Sequence, residues 1–142
     1  MMNNLLGLIL LLTTMAGVSC QTKQLAGNPL TDRSLVFGRG GGVTGIEKTW
    51  ILMDNGQVLK QEVIGANPAP VGKIATSKAR LLFNKADEAL YGETNLTEVG
   101  NTYSFIGLQD SSRSARLVWT GTLPAMNPTL AELITEMEKI AK

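Results

Sequence analysis

The sequence predicts an α+β domain with a four- to five-stranded, mainly antiparallel sheet and two helices packed on one face. Three observations predict this fold: an Asp-Asn-Gly turn between two apolar runs, a second pair of strand-like runs joined by turn residues, and two helical stripes of apolar residues. Because the sheet and both helices each have one apolar side, placing both helices on one face buries all three. The 142 residues allow one ordinary domain.

The first half of the sheet is predicted from short apolar runs and one turn. Residues 34–37 form an apolar run that ends in glycine, which is typical of a first strand. The Asn-Gly pair in residues 54–56 favours a two-residue hairpin loop, because both residue types tolerate positive φ. With that loop, Leu52 faces Leu59, and both lie with Trp50 on the dry side of the sheet.

The first helix is predicted to begin near Ser77, after proline and glycine in residues 68–72 interrupt the strand pattern. The second has Asn127 as its N-cap and Pro128 at its first helical position. Steps of three and four define the two buried stripes. They comprise Ala79, Leu82, Phe83, Ala86 and Leu90 in the first helix, and Leu130, Leu133, Ile134, Met137 and Ile140 in the second.

A second hairpin is predicted between the two helices. Residues 102–108 and 115–120 read as strands, and residues 110–114 between them are of the types that form turns. This hairpin completes the predicted sheet.

The N-terminal residues resemble a bacterial lipoprotein signal. Residues 5–12 read LLGLILLL, an apolar run too short to cross a bilayer as a helix, and small residues follow up to Cys20, the single cysteine. Gly17-Val18-Ser19-Cys20 resembles the lipobox, in which the thiol receives a diacylglyceryl group, the chain is cut before the cysteine, and the new amine is acylated. An ordinary cleaved signal is the alternative. The resemblance implies a signal peptide at 1–19, a lipidated Cys20 and flexible tether at 20–33, and one domain at 34–142.

Lipidation would hold the protein in the cell envelope, with its N-terminal acyl chains in a membrane. Each buried methylene contributes about 0.8 kcal/mol, so two or three chains, such as palmitate, hold firmly where one binds reversibly. Gln21 follows the cysteine at the position where an aspartate often signals inner-membrane retention. The outer membrane is therefore the favoured location.

Composition excludes the commonest catalytic and metal-binding chemistries. The absence of histidine removes the usual general base and transition-metal ligand, and one cysteine cannot build a thiolate zinc site. The acidic residues at 87–88 and 136–138 are expected on solvated helix faces, and Ser77-Lys78 is not a Ser-x-x-Lys motif. A net charge of +1 gives no attraction to nucleic acid. We expect no enzymatic activity, no cofactor and no metal.

A cluster of glycines lies between the first strand and the hairpin. Gly40, Gly42 and Gly45 match G-x-G-x-x-G, but a dinucleotide site needs a helix to start there, and residues 46–53 read as a strand. We therefore expect no nucleotide. Two interpretations stay open: a bulge or wide turn in which glycine relieves the limits on φ, or a loop whose backbone contacts a partner.

The motif Gly-Gly-x-x-Gly at residues 41–45, between a first strand and a hairpin, carries a further resemblance. Together with the order of elements over residues 35–142, it resembles the emfourin family, small bacterial inhibitors of thermolysin-like metallopeptidases. Val43 stands where that family usually has an aromatic residue. The resemblance implies peptidase inhibition through this loop, with Gly40, Gly41, Gly42, Val43, Thr44 and Gly45 as the candidate contact residues.

The sequence therefore predicts a non-catalytic, lipid-anchored protein-binding domain of the cell envelope, with peptidase inhibition as its most specific form. A structural accessory subunit of an envelope assembly is the alternative.

Overall fold

The computed structural model describes residues 33–91, 100–122 and 127–142. Within these residues, six strands form one sheet and two helices accompany it, so the predicted α+β class is confirmed. The elements are β1 (Ser34–Gly41), β2 (Lys48–Met53), β3 (Gln57–Gln61), β4 (Ala69–Lys73), α1 (Thr76–Tyr91), β5 (Thr102–Gln109), β6 (Ser114–Trp119) and α2 (Pro128–Ile140).

The sheet has the strand order β4-β3-β2-β1-β5-β6, and every neighbouring pair is antiparallel. The predicted count of four to five strands was wrong because β4 forms from residues 69–73, although their proline and glycine predict a break in the strand pattern. All five β4 residues are exposed, and Pro70 lies opposite Leu59 of β3. Proline is tolerated on an edge strand, since no further strand needs its missing N–H.

Strand β1 is twice as long as predicted, because it continues from Phe37 through three glycines to Gly41. Glycine in a strand usually weakens the strand, since it offers no side chain to pack. Here rings from β5 cover the glycines: a Cβ atom added to Gly40 would lie 2.7 Å from the Tyr103 ring. The aromatic side chains replace the packing that the glycines lack.

The hairpin between β2 and β3 turns where the sequence predicted, but its register differs. Gly56 N donates to Met53 O at 2.9 Å, and residues 54–56 form a three-residue loop instead of a two-residue one. Leu52 therefore lies opposite Val58, not Leu59. A shift of one residue moves side chains to the other face of a sheet, so Val58 enters the core and Leu59 lies on the opposite side.

Both helices form where the apolar stripes predicted them. The N-cap of α2 is confirmed, since Asn127 Oδ1 accepts a hydrogen bond from Thr129 N at 2.9 Å and Pro128 follows the cap. The two helices run antiparallel, because Lys78 near the start of α1 pairs with Glu136 near the end of α2 at 2.9 Å.

The core lies between the helices and one face of the sheet. Its buried members from the strands all project to that one face, as the cross-strand pairs Leu35–Leu52 and Phe37–Ile106 illustrate. The inward residues of both helices complete the same cluster, which comprises Leu35, Phe37, Leu52, Val58, Ala79, Leu82, Phe83, Ala86, Ala89, Leu90, Ile106, Leu108, Leu117, Trp119, Leu130, Leu133, Ile134 and Met137. This agrees with the predicted packing.

The predicted signal peptide at 1–19, Cys20 and the tether up to residue 32 lie outside the described residues. Within 33–91, 100–122 and 127–142, neither helix has the length and apolar character needed to cross a membrane.

Candidate functional site

The glycine cluster leads from β1 into a tight turn at its end. Gly45 N donates to Gly42 O at 3.1 Å, which closes a four-residue turn over residues 42–45. Val43 and Thr44 occupy its two central positions, and Val43 is fully exposed, at 103%. The candidate loop therefore projects from the domain.

The base of this turn is fixed while its tip is open. Gly41 has φ +93°, and a Cβ there would lie 2.2 Å from Asn101 O. Gly42 has φ +78°, and its N–H donates to that same oxygen at 2.5 Å. Gly45 has φ +61° with nothing within 4 Å of an added Cβ. Gly41 and Gly42 allow the backbone to pack closely against the start of β5. Gly45 makes no such contact, and its positive φ only allows the chain to reverse.

The structure divides the six candidate contact residues into two groups. Gly40 and Gly41 belong to β1 and pair with Tyr103 and Thr102 of β5. The remaining four, Gly42, Val43, Thr44 and Gly45, form the turn itself. The G-x-G-x-x-G stretch thus runs from β1 towards β2, and no helix begins there.

A polar network supports the turn on the sheet face that the helices leave open. Glu47 accepts hydrogen bonds from the Tyr103 hydroxyl at 2.8 Å and from Arg116 Nη2 at 3.1 Å. The hydrogen bond to Glu47 is the largest cause that raises the pKa of Tyr103, and burial adds to it. Arg116 also stacks on the Phe105 ring, 4.0 Å from its centroid. These contacts tie Glu47, at the β2 end of the β1–β2 connection, to β5 and β6.

A groove of about 730 Å³ lies beside the turn, on the helix side of the sheet. It forms where the core ends: Arg39, Lys48 and Ser104 lie two residues further along their strands than the buried Phe37 and Ile106 and the partly buried Trp50. Ile46 and Thr44 from the turn region, and Ile134 and Glu138 from α2, complete its walls. Arg39 Nη2 lies 2.9 Å from Glu138 Oε1 across the groove.

The groove is the feature that sequence reasoning missed. Arg39, Lys48 and Ser104 come from β1, β2 and β5, and no local pattern places them together. Cross-strand register alone brings Lys48 opposite Arg39 and Arg39 opposite Ser104. The sequence contained one usable signal, the two cations Arg39 and Lys48 on either side of a glycine turn, but that signal needs the pairing of β1 with β2.

Three of the four acidic residues at 87–88 and 136–138 form ion pairs, and they do so with different cations. Asp87 pairs with Arg33 at 2.7 Å. Glu136 contacts Lys139 at 2.5 Å and Lys78 at 2.9 Å, and these two contacts lower the pKa of Glu136 to about 2. Among the described residues, no three acidic, histidine or cysteine side chains converge as a metal site would require.

No known protein-family model matches the chain, and no curated protein matches it.

Proposed function

We propose that this chain is a non-catalytic protein-binding domain of the cell envelope, anchored by lipid on Cys20, and that the turn at residues 42–45 contacts its partner. Inhibition of a metallopeptidase is the most specific form of this proposal. The observation that carries it is the full exposure of Val43 at the tip of a turn whose base is held by β5.

The shape of the turn supports a binding role. A projecting loop that is already held in one conformation loses little conformational freedom when it binds, so more of the contact energy remains as affinity. The hydrogen bond from Gly42 N to Asn101 O and the β1–β5 pairing supply that rigidity. Val43 adds an apolar side chain that has no contact to lose within the domain.

The position of the turn fits a domain held from its N-terminus. Arg33 immediately precedes β1, and the turn begins immediately after β1. Arg33 and the turn therefore lie at opposite ends of this strand. Eight strand residues at about 3.3 Å each separate them by about 25 Å. A lipid anchor upstream of Arg33 would therefore join the domain at the end of β1 opposite the turn and leave the turn uncovered.

The resemblance to the emfourin family supplies the class of partner. Gly41 to Gly45 carry its Gly-Gly-x-x-Gly motif, and here Gly42 and Gly45 close the turn. An inhibitor needs no catalytic residues of its own, in keeping with a chain that lacks histidine.

A panel of thermolysin-type peptidases assayed with the full chain in detergent tests the proposal. We expect inhibition at micromolar chain or below. Val43→Glu should weaken it about tenfold or more, because the complex would bury an unpaired carboxylate. Val71→Glu is the matched control: Val71 is 54% exposed and lies on β4, at the far edge of the sheet.

Two outcomes would count against this function. The peptidases could keep full activity at micromolar chain, or both valine variants could weaken inhibition equally. The first outcome would contradict peptidase inhibition, and the second would contradict the turn as the contact surface.

A structural subunit of an envelope assembly is the second candidate. The exposed apolar side chains of Val63 and Ile64, between β3 and β4, favour it, since apolar residues on a surface often mark a permanent interface. This candidate predicts stoichiometric partners that co-purify from membranes in mild detergent, and no effect on any peptidase.

A further inference from the structure

We infer that the groove beside the turn binds an extended acidic segment of the partner protein, with Lys48 and Arg39 as the residues that hold its carboxylates. This inference rests on the proposal that the domain binds a protein. It assigns the groove a role separate from that of the turn and names the chemistry of the segment that fits it.

Four groove residues are aligned across the sheet. Lys48 lies opposite Arg39, Arg39 opposite Ser104, and Ser104 opposite Trp119, so the four form one row across β2, β1, β5 and β6. Strands about 4.8 Å apart give this row a length of about 14 Å. An extended peptide advances about 3.4 Å per residue, so about four residues of a partner would span the row.

Two members of this row, Arg39 and Lys48, carry a positive charge. Lys48 forms no ion pair within 4 Å of any described residue, although after Lys60 it also helps to lower the pKa of Glu62. Arg39 forms one ion pair, with Glu138. Both side chains of that pair are largely exposed, 64% for Arg39 and 45% for Glu138, and pairs so exposed contribute little to stability. A carboxylate from a partner can therefore replace Glu138 at small cost, and Lys48 has no close ion pair to give up.

Glu138 shows that a carboxylate can reach Arg39 within the groove. Its carboxylate already lies in the groove at 2.9 Å from the Arg39 guanidinium, in the manner expected of an acidic peptide side chain. Around it, the Ser104 hydroxyl forms no hydrogen bond with other described residues, and Ile46 is 44% exposed. The groove thus combines two cations and the Ser104 hydroxyl with an apolar wall, beside the Glu138 carboxylate, which suits a segment that mixes acidic and apolar residues.

The position of the groove favours a protein segment over a lipid headgroup as its ligand. The groove lies at the turn end of β1, the opposite end from Arg33. An anchor upstream of Arg33 joins the domain at the end of β1 opposite the groove, so the anchor itself does not place the groove at the membrane. Anionic headgroups could present the same negative charge, so they form one arm of the test.

The test is fluorescence anisotropy with the full chain in detergent and three labelled nine-residue peptides. They consist of three repeats of Glu-Ser-Leu, Gln-Ser-Leu or Lys-Ser-Leu. We expect binding of the glutamate peptide alone, weakened by salt because exposed charge pairs are screened. Lys48→Gln and Arg39→Gln should each weaken it about threefold to fivefold, the range of an exposed ion pair.

Two further variants sharpen the result. Glu138→Gln should strengthen binding, since it frees Arg39 without removing a cation. Lys73→Gln is the matched control: Lys73 is an exposed cation on β4, three strands away from β1. Circular dichroism of each variant confirms that the fold is kept.

Equal binding of all three peptides, or no difference between the Lys48 and Lys73 variants, would overturn the inference. Flotation with phosphatidylglycerol vesicles that depends on Lys48, without peptide binding, would replace it with a lipid site. The proposed function fails separately: peptides can bind the groove while no peptidase is inhibited, and Val43→Glu can abolish inhibition while the peptides do not bind.

Discussion

The Phe105 ring lies directly over Gly38: a Cβ atom on Gly38 would stand 2.3 Å from the ring carbon Cζ and 2.5 Å from the backbone oxygen of Lys48. Phe105 is only 1% exposed although it lies on the face that the helices leave uncovered. The missing side chain of Gly38 and the stacked guanidinium of Arg116 together account for this burial. The strand that carries the candidate turn is thus fixed by packing on both faces.

We expect Gly38→Ala to destabilise the protein by about 2 kcal/mol or more, because the new methyl group must displace the ring or the strand. Gly72→Ala is the matched control, since nothing lies within 4 Å of its added Cβ and its φ is not positive. That variant should change stability by less than about 0.5 kcal/mol. Urea unfolding of both variants measures the difference, and equal stability would contradict the packing.

A pair of glycine variants separates backbone strain from steric clash. Gly56 and Gly65 have nearly the same φ, +87° and +85°, so alanine costs about 1–2 kcal/mol of strain at either position. At Gly56 the new Cβ would also lie 2.3 Å from Ile74 O, whereas at Gly65 it meets nothing. We expect Gly56→Ala to cost about 1–3 kcal/mol more than Gly65→Ala in the same unfolding assay. Equal losses of stability in the two variants would show that backbone strain alone accounts for the cost of alanine.

Stability should fall in acid through two carboxylates. Hydrogen bonds from Ser112, first from its backbone and then from its hydroxyl, help to lower the pKa of Asp110 from 3.8 to about 2. Lys139 and Lys78 lower the pKa of Glu136 from 4.5 to about 2. A depressed folded-state pKa means that the unfolded chain takes up protons first as the pH falls. The two carboxylates therefore contribute fully to the free energy of unfolding above about pH 5, and this contribution is largely lost by about pH 2.

The measurement is the thermal midpoint from pH 6 to pH 2 for the wild type, Asp110→Asn and Glu136→Gln. Each variant should be less stable than the wild type at pH 6, and the gap should narrow as the pH approaches 2. A gap that stays constant across this range would contradict the assigned contacts.

Lipidation of Cys20 makes its own prediction. Intact-mass measurement of the protein from its native membrane should give a chain that begins at Cys20 and carries diacylglyceryl and acyl groups. Cys20→Ser removes the thiol that accepts lipid and should abolish incorporation of labelled palmitate. A mature chain with a free thiol, or one that begins elsewhere, would contradict the anchor.

The sequence predicted the features that depend on local chemistry. Asn127 with Pro128 defines the start of α2, and the apolar stripe of α1 places that helix from Thr76 to Tyr91. Steps of three and four and a capping side chain act within a few residues, so they can be read from the chain alone.

Features decided by distant residues could not be predicted in the same way. The extension of β1 through its glycines depends on Tyr103 and Phe105, which lie far away in sequence. Likewise, β4 forms because its backbone pairs with the edge of β3, in spite of Pro70. The groove required the register of four strands, and the predicted β2–β3 register was already off by one residue.

Hydrogen–deuterium exchange of the full chain with and without a thermolysin-type peptidase tests the central claim most directly. Our account predicts that the peptidase slows exchange in the turn at residues 42–45 and in the flanking ends of β1 and β2, while β4 exchanges at an unchanged rate. Slower exchange at residues 63–73 with no change in the turn, or no change anywhere in the chain, would contradict it.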